Sequence, residues 1–226
     1  MKIIRLDEVN STNEFLKREN IRGDVVTVAK RQTGGRGTKG RSFSSESGGL
    51  YVSFQREYGD FPAENAFKIM VNACTAVCKT LSSFGLNPVI RWANDVLVNG
   101  LKISGTLIEN TLSFGHISRS IVGIGININN TLPAELYGIA TSMRRELGAE
   151  CEVESVFKRL LKNIRREYSV EDYKSYINWL GKDIILRRSG GEERATALDV
   201  SPDGKLVCRG AEGVFGVSSA EVSLIL

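Results

Sequence analysis

The dipeptide Asn99-Gly100 stands between two strand-like runs, Asp95-Val96-Leu97-Val98 and Leu101-Lys102-Ile103-Ser104. Asn-Gly readily takes positive φ at both central positions, as the two-residue turn that matches strand twist requires, so the chain is expected to double back there as a β-hairpin. A two-residue turn sets the register: Val98 faces Leu101, Leu97 faces Lys102 and Asp95 faces Ser104. Alternation then places Asp95, Leu97, Lys102 and Ser104 on one side of the sheet, and Val96, Val98, Leu101 and Ile103 on the other. Lys102 is thereby expected on a rigid platform with a carboxylate diagonal to it. Such a platform suits a lysine that meets an anionic transition state. By residue type it also suits a solvated strand carrying a weak ion pair, worth about 0–1 kcal/mol.

Further strands are expected at 24–29, 50–54, 106–108 and 120–128 from short apolar runs and alternation. Between 64 and 84 the residues Phe67, Met70, Cys74, Val77, Cys78 and Leu81 follow helical spacing, and Gly85 stops that helix. Ser11-Thr12-Asn13-Glu14 reads as a capping box opening a short helix. Amphipathic helices are expected at 152–168 and 171–179. After Gly181 five short apolar runs are separated by Ser189-Gly190-Gly191, Pro202-Asp203-Gly204 and Gly210-Ala211-Glu212-Gly213. That texture predicts a small five-stranded barrel. The chain therefore reads as α+β: a mixed α and β domain at 1–179 and an all-β domain at 180–226.

Composition removes several classes. His116 is the one histidine in 226 residues; it is expected between strands in a surface or structural role, which sets aside Ser-His-Asp and Cys-His chemistry. The cysteines Cys74, Cys78, Cys151 and Cys208 form no Cys-x-x-Cys pair, so a zinc site is not expected and reduced thiols are. A net charge of +4 fits anionic small molecules better than a broad nucleic-acid face. No apolar run reaches membrane-spanning length and the N-terminus lacks a signal-peptide core, so a cytoplasmic protein without a membrane partner is expected.

Two more segments can carry chemistry. The loop Lys30 to Arg41 contains Gly34, Gly35, Gly37 and Gly40 among Arg36, Lys39 and Arg41. Glycines let backbone N–H groups approach an anion, and arginine grips phosphate bidentately. The loop lacks a Walker A pattern, and its residue types alone suit a solvated surface loop equally well. In Val122-Gly123-Ile124-Gly125-Ile126-Asn127 the glycines imply close approach of a ligand or another backbone. Asn127 could offer an amide edge, and the dinucleotide fingerprint is not met.

Taken together and in order, these segments resemble biotin protein ligases. The matching elements are Ser11-Thr12-Asn13, Gln32-Thr33-Gly34-Gly35-Arg36-Gly37 through Arg41, Arg91-Trp92-Ala93-Asn94-Asp95, Lys102-Ile103-Ser104-Gly105, Gly123-Ile124-Gly125-Ile126-Asn127 and Ala140-Thr141-Ser142-Met143. The resemblance implies a central mixed β-sheet with flanking helices of class II synthetase or biotin ligase type, followed by an SH3-like barrel. It implies a biotin pocket from Ser11, Thr12, Asn13, Gln32, Arg36, Gly37, Thr38, Lys102, Gly105 and Gly123. It places Arg36, Lys39, Arg41, Phe43, Arg91, Asn94, Asn127, Ala140 and Thr141 near the nucleotide. Lys102, Arg36 and Asp95 would be catalytic. Three positions depart from the family: Thr38 replaces a second loop arginine, Arg91 replaces lysine, and Ala93 replaces a proline, which would loosen that turn.

The implied reaction uses ATP and biotin with Mg²⁺, the metal arriving with ATP and not from a protein site. Biotin's carboxylate attacks the α-phosphate to give biotinyl-AMP and pyrophosphate, and a lysine of a biotin carboxyl carrier protein then attacks the mixed anhydride. An amine of pKa about 10.4 is roughly 1 part in 2,500 neutral at pH 7, so the acceptor must lose a proton in the site, with Asp95 as a candidate base. A lipoate or octanoate ligase, or a catalytically weak biotin-binding sensor, are the alternative functions. Direct DNA binding is not expected, because Ser11 leaves no room for a preceding helix-turn-helix. A homodimer through the sheet edge stays open.

Overall fold

The Asn-Gly turn closes with positive φ at both residues, +51° at Asn99 and +79° at Gly100. The computed structural model describes residues 1–188, 191–220 and 223–225. In chain order the elements are β1 (Lys2–Val9), α1 (Thr12–Glu19), β2 (Val25–Gln32), β3 (Leu50–Glu57), α2 (Ala66–Ser82), β4 (Val89–Arg91), β5 (Asp95–Val98), β6 (Leu101–Ser113), β7 (His116–Ile126), α3 (Met143–Leu147), α4 (Val153–Asn163) and α5 (Val170–Lys174). A second group follows: β8 (Asp183–Arg188), β9 (Gly191–Val200), β10 (Leu206–Gly210), β11 (Gly213–Val217) and β12 (Ser223–Ile225).

The first sheet has seven strands in the order β1-β2-β3-β7-β6-β5-β4. β1 and β2 run parallel and the other neighbours antiparallel, so the sheet is mixed as expected. The sequence reading assigned no element to the residues of β1. Its charged residues keep it solvated as an edge strand. The expected strand at 106–108 is the middle of the long β6, and His116 opens β7 instead of lying between strands.

The hairpin register differs from simple alternation. Leu97 pairs Lys102 as expected, but Val96 pairs Ser104 and Asp95 pairs Gly105, with a bulge between Val96 and Leu97. Ile103 is the extra residue. A bulge moves every later residue of its strand to the opposite face. Gly105, three residues from Lys102, therefore comes to the same face as Lys102 and Asp95, and Ser104 turns away.

α2 covers the other face of the sheet. Cys74, Val77, Cys78 and Leu81 are fully buried there with Ile90, Ile103 and Ile126. Gly85, with φ +87°, lies just past its end. The expected 152–168 helix stops at Asn163, because the Asn163 carbonyl accepts from Arg166 N at 3.0 Å and Tyr168 Oη at 3.1 Å instead of continuing the helical ladder. The expected 171–179 helix is shorter still, ending at Lys174.

The C-terminal sheet has five strands ordered β11-β10-β9-β8-β12, each pairing antiparallel. The expected Ser189-Gly190-Gly191 separator lies outside the described residues except for Gly191. The sheet docks on the first: Trp92 Nε1 donates to the Gly204 carbonyl at 3.0 Å, and Lys174 pairs Asp199 at 3.0 Å. One contiguous apolar cluster runs through both sheets.

Candidate functional site

Ser11 begins the site. Its Oγ accepts from Glu14 N at 3.5 Å and caps α1. The Glu14 carboxylate does not return to the cap as a full capping box would have it; it meets Lys17 at 3.1 Å and Arg36 at 3.0 Å. The cap turns Thr12 and Asn13, both buried, toward the sheet. Gln32 Oε1 accepts from Thr12 N at 2.8 Å and Thr12 Oγ1 at 3.0 Å. Gln32 Nε2 donates to Ser45 Oγ at 2.9 Å. Ser53 Oγ lies 2.6 Å from Thr12 Oγ1 and 2.5 Å from Asn13 Oδ1. Asn13 Nδ2 donates to Glu109 Oε2 at 2.8 Å, and Lys17 Nζ meets Glu109 Oε1 at 2.5 Å. Burial pulls the Lys17 pKa down, but Glu109 and Glu14 outweigh it and hold it above the ordinary value.

The floor is glycine. Gly105 and Gly125 are cross-strand partners. A Cβ on Gly125 would come within 2.5 Å of the Phe43 ring, and one on Gly123 within 2.4 Å of Asn13 Oδ1. The close approach inferred for these glycines is thus made first by the protein's own side chains. Phe43 lies under the Lys102 ammonium, 5.7 Å from Nζ to ring centroid.

Lys102 is held from two sides. Its Nζ is 2.6 Å from Asp95 Oδ1, while Arg91 Nη2 donates to Asp95 Oδ2 at 2.8 Å. The Asp95 side chain is 10% exposed. Burial favours the neutral acid, but the two cations outweigh it and hold the carboxyl below its ordinary pKa. That makes Asp95 a poor proton acceptor, against its expected role as a base, and its two oxygens are engaged by cations, not free for a metal. The Lys102 backbone is pinned too: its N–H donates to the Ile139 carbonyl and its carbonyl accepts from Thr141 N, both at 2.9 Å.

Of the predicted residues, Ser11, Thr12, Asn13, Gln32, Arg36, Gly37, Thr38, Arg41, Phe43, Asn94, Lys102, Gly105 and Gly123 line one cleft that opens to solvent. Lys39, Arg91, Asp95, Asn127, Ala140 and Thr141 do not line it. Lys39 is exposed on the loop. Arg91 and Asp95 act on the cleft through Lys102. Ala140 bridges Lys102 in parallel. Asn127 spends its amide inward, donating to the Thr141 carbonyl at 3.0 Å and accepting from Asn130 Nδ2 at 3.2 Å. Asn94 and Thr106 hydrogen-bond each other twice, at 2.9 and 3.0 Å. The turn expected to be loose at Ala93 is buried, and the Ala93 carbonyl accepts from Tyr173 Oη at 2.8 Å. At the departure Thr38, Arg41 folds back and donates to the Thr38 carbonyl and Oγ1, both at 3.3 Å.

Sequence reasoning missed Ser53, Glu109, Lys17 and Ser45. The available signal for Ser53 was a lone hydroxyl in the apolar run Leu50-Tyr51-Val52-Ser53-Phe54. Nothing local marks Glu109, which becomes relevant only when β6 passes α1.

The mixed sheet thus carries a fixed lysine beside an amide-lined cleft. Residues 4–127 match the biotin/lipoate A/B protein ligase family, and the chain belongs to that family. It is similar to the biotin protein ligase of Aquifex aeolicus, solved in complex with biotin and ATP, at 31% identity and TM-score 0.82, covering 99% of this chain and 98% of that one. It is also similar to the bifunctional ligase/repressor BirA of Bacillus subtilis, at 29% identity over 97% of this chain and 72% of that protein. The biotin–[acetyl-CoA-carboxylase] ligase of Paracoccus denitrificans is 26% identical over 96% of this chain and 98% of its own length.

Proposed function

We propose that this chain activates biotin with ATP as biotinyl-5′-AMP and transfers the biotinyl group to a lysine of a carboxylase carrier protein. The observation that carries the reading is one continuous cleft joining the Thr12, Asn13 and Gln32 amide and hydroxyl cluster to the Lys102 ammonium across a glycine floor. Among the described residues no helix is long and apolar enough to cross a membrane; the enzyme would meet its carrier in the cytoplasm. Residues 1–179 would form the catalytic unit and 180–226 an SH3-like appendage.

In the first step a carboxylate oxygen of biotin forms a bond to the α-phosphorus, and the bond to the β-phosphate bridging oxygen breaks. The nucleophile is already ionised at neutral pH, so the step needs no base. Its obstacle is repulsion between two anions. Lys102, aimed by Asp95 and Arg91, offsets that repulsion and stabilises charge developing at phosphorus. Arg36 and Arg41 supply further positive charge from the loop. Mg²⁺ would enter on the triphosphate and would there neutralise phosphate charge. In the second step the acceptor amine attacks the acyl carbon and AMP leaves. Since Asp95 is held ionised between two cations, the amine's proton goes to water or to the departing phosphate.

The test is biotin-dependent exchange of pyrophosphate into ATP, with lipoate as control. Exchange with biotin alone is expected, and Lys102→Ala should lower it by roughly 10²–10³-fold. A folded protein that binds biotin but exchanges with neither acid would replace this reading with a biotin sensor. Exchange driven by lipoate would move it to the sister activity.

A further inference from the structure

We propose that Glu109 is a specificity-determining positioning residue: it fixes the orientation of the Asn13 amide so that the pocket's own hydrogen-bond chain is one proton short and demands N–H donors from a ligand. The proposal rests on the biotin reading above and specifies how that pocket chooses its substrate.

Three short oxygen–oxygen contacts run in a chain. They are Gln32 Oε1 to Thr12 Oγ1 at 3.0 Å, Thr12 Oγ1 to Ser53 Oγ at 2.6 Å, and Ser53 Oγ to Asn13 Oδ1 at 2.5 Å. Only Thr12 and Ser53 carry a hydroxyl proton; the amide oxygens only accept. Two protons therefore serve three contacts. Gln32 cannot turn to supply a third, because its oxygen is fixed by Thr12 N–H and its nitrogen by Ser45. Asn13 could. With its nitrogen toward Ser53, it would donate to Ser53, Ser53 to Thr12 and Thr12 to Gln32, and every contact would be satisfied.

Glu109 forbids that orientation. Its carboxylate accepts from Asn13 Nδ2 at 2.8 Å, and a flipped amide would set two acceptors against each other. Lys17, 2.5 Å from the other Glu109 oxygen, holds the carboxylate in place. Gly123 leaves the Asn13 amide lying flat on the strand, where a Cβ would meet its oxygen at 2.4 Å. The result is a buried acceptor surplus at Thr12, Ser53 and Asn13. A buried acceptor left unpaired is costly, and a ligand N–H relieves it. A cyclic urea offers two N–H groups; a dithiolane ring offers none. Selection between the two acids thus traces to a carboxylate outside the cleft lining.

The experiment measures binding of biotin and of the two isosteric cyclic carbamates in which one or the other ureido N–H is replaced by oxygen. The full-length chain and two variants are compared by calorimetry. The unsubstituted protein should prefer the urea over at least one carbamate by about tenfold or more. Glu109→Gln can either accept from or donate to Asn13, so it should narrow that preference by about tenfold. The double variant Asn13→Asp with Glu109→Gln restores an acceptor-only group at position 13, now held by the glutamine amide. It should recover the preference, and it carries the test by itself if Glu109→Gln does not fold. A merely structural role would weaken urea and carbamates by the same factor and leave the ratio unmoved. An unchanged ratio in Glu109→Gln, or a folded double variant without the preference, overturns the proposal. Absence of any preference in the parent protein overturns it alone, whereas failure of the parent to bind biotin at all overturns the biotin reading with it.

Discussion

Two clusters of charge reach the cleft, through Lys102 and through Arg36, and they are built in opposite ways. Lys102, Asp95 and Arg91 sit on strands with a shared carboxylate 10% exposed, whereas Arg36 pairs Glu14 from a loop with its own side chain 56% exposed. In the first, low solvent access makes each charge dependent on the others. In the second, water and salt compete for every contact. One end of the site is thus built before any substrate arrives, and the other can exchange Glu14 for a substrate anion without a large cost. In the proposed reaction the first would supply a preset cation at the reacting atoms and the second an adaptable one that follows the phosphate.

The contrast can be broken most forcefully at Asp95. Asp95→Ala leaves two cations facing each other in a poorly hydrated site, and we expect a loss of about 3–5 kcal/mol in denaturant unfolding. A loss under 1 kcal/mol would mean the cluster is as loosely coupled as the exposed pair. Next in size is the floor. Gly125→Ala puts a Cβ 2.5 Å from the Phe43 ring, and overpacking of this kind costs about 1–3 kcal/mol. Because Phe43 lies under Lys102, pyrophosphate exchange should fall by about tenfold even where the variant folds. Undiminished exchange would show that Phe43 gives way freely.

A smaller effect appears only in acid. The Asp95 carboxyl titrates below its ordinary value of 3.8 in the folded chain. Its contribution to stability is therefore complete above the unfolded value and is lost as pH falls through the folded one. Thermal melts of the parent should steepen in their pH dependence below about pH 4 relative to those of Asp95→Asn; superimposable slopes would argue that the carboxyl is not depressed. The smallest effect belongs to the exposed pair. Glu14→Ala should change stability by about 0–1 kcal/mol. The same substitution should strengthen the response of exchange to added salt, since Arg36 then meets phosphate without an internal competitor.

Much of this was legible beforehand for identifiable reasons. The Asn99-Gly100 turn, the spacing of Cys74, Val77, Cys78 and Leu81, and the Gly-bounded runs after Gly181 are short-range signals. Lys102 beside Asp95 followed from the hairpin, and the cleft's lining from ordered motifs that resemble one family. What escaped was long-range or off by one residue. The bulge at Ile103 replaced Ser104 by Gly105 opposite Asp95. Asn127 looked like a free amide edge and is spent on Thr141 and Asn130. Helix ends at Asn163 and Lys174 fell short of their apolar periodicity because capping and tertiary carbonyl partners, not periodicity, stop a helix.

The sequence by itself determined where the chain turns, which faces are apolar and which residue types can meet an anion, because these depend on φ preferences and on periods of two and 3.6 residues. Only the tertiary structure decided which donors answer which acceptors. Ser53 and Glu109 come from two different strands and meet Asn13 across separations of up to 96 positions, and Lys17 joins them through Glu109. A hydrogen-bond network has a direction and a proton count, and neither exists until its members are brought within 3 Å of one another.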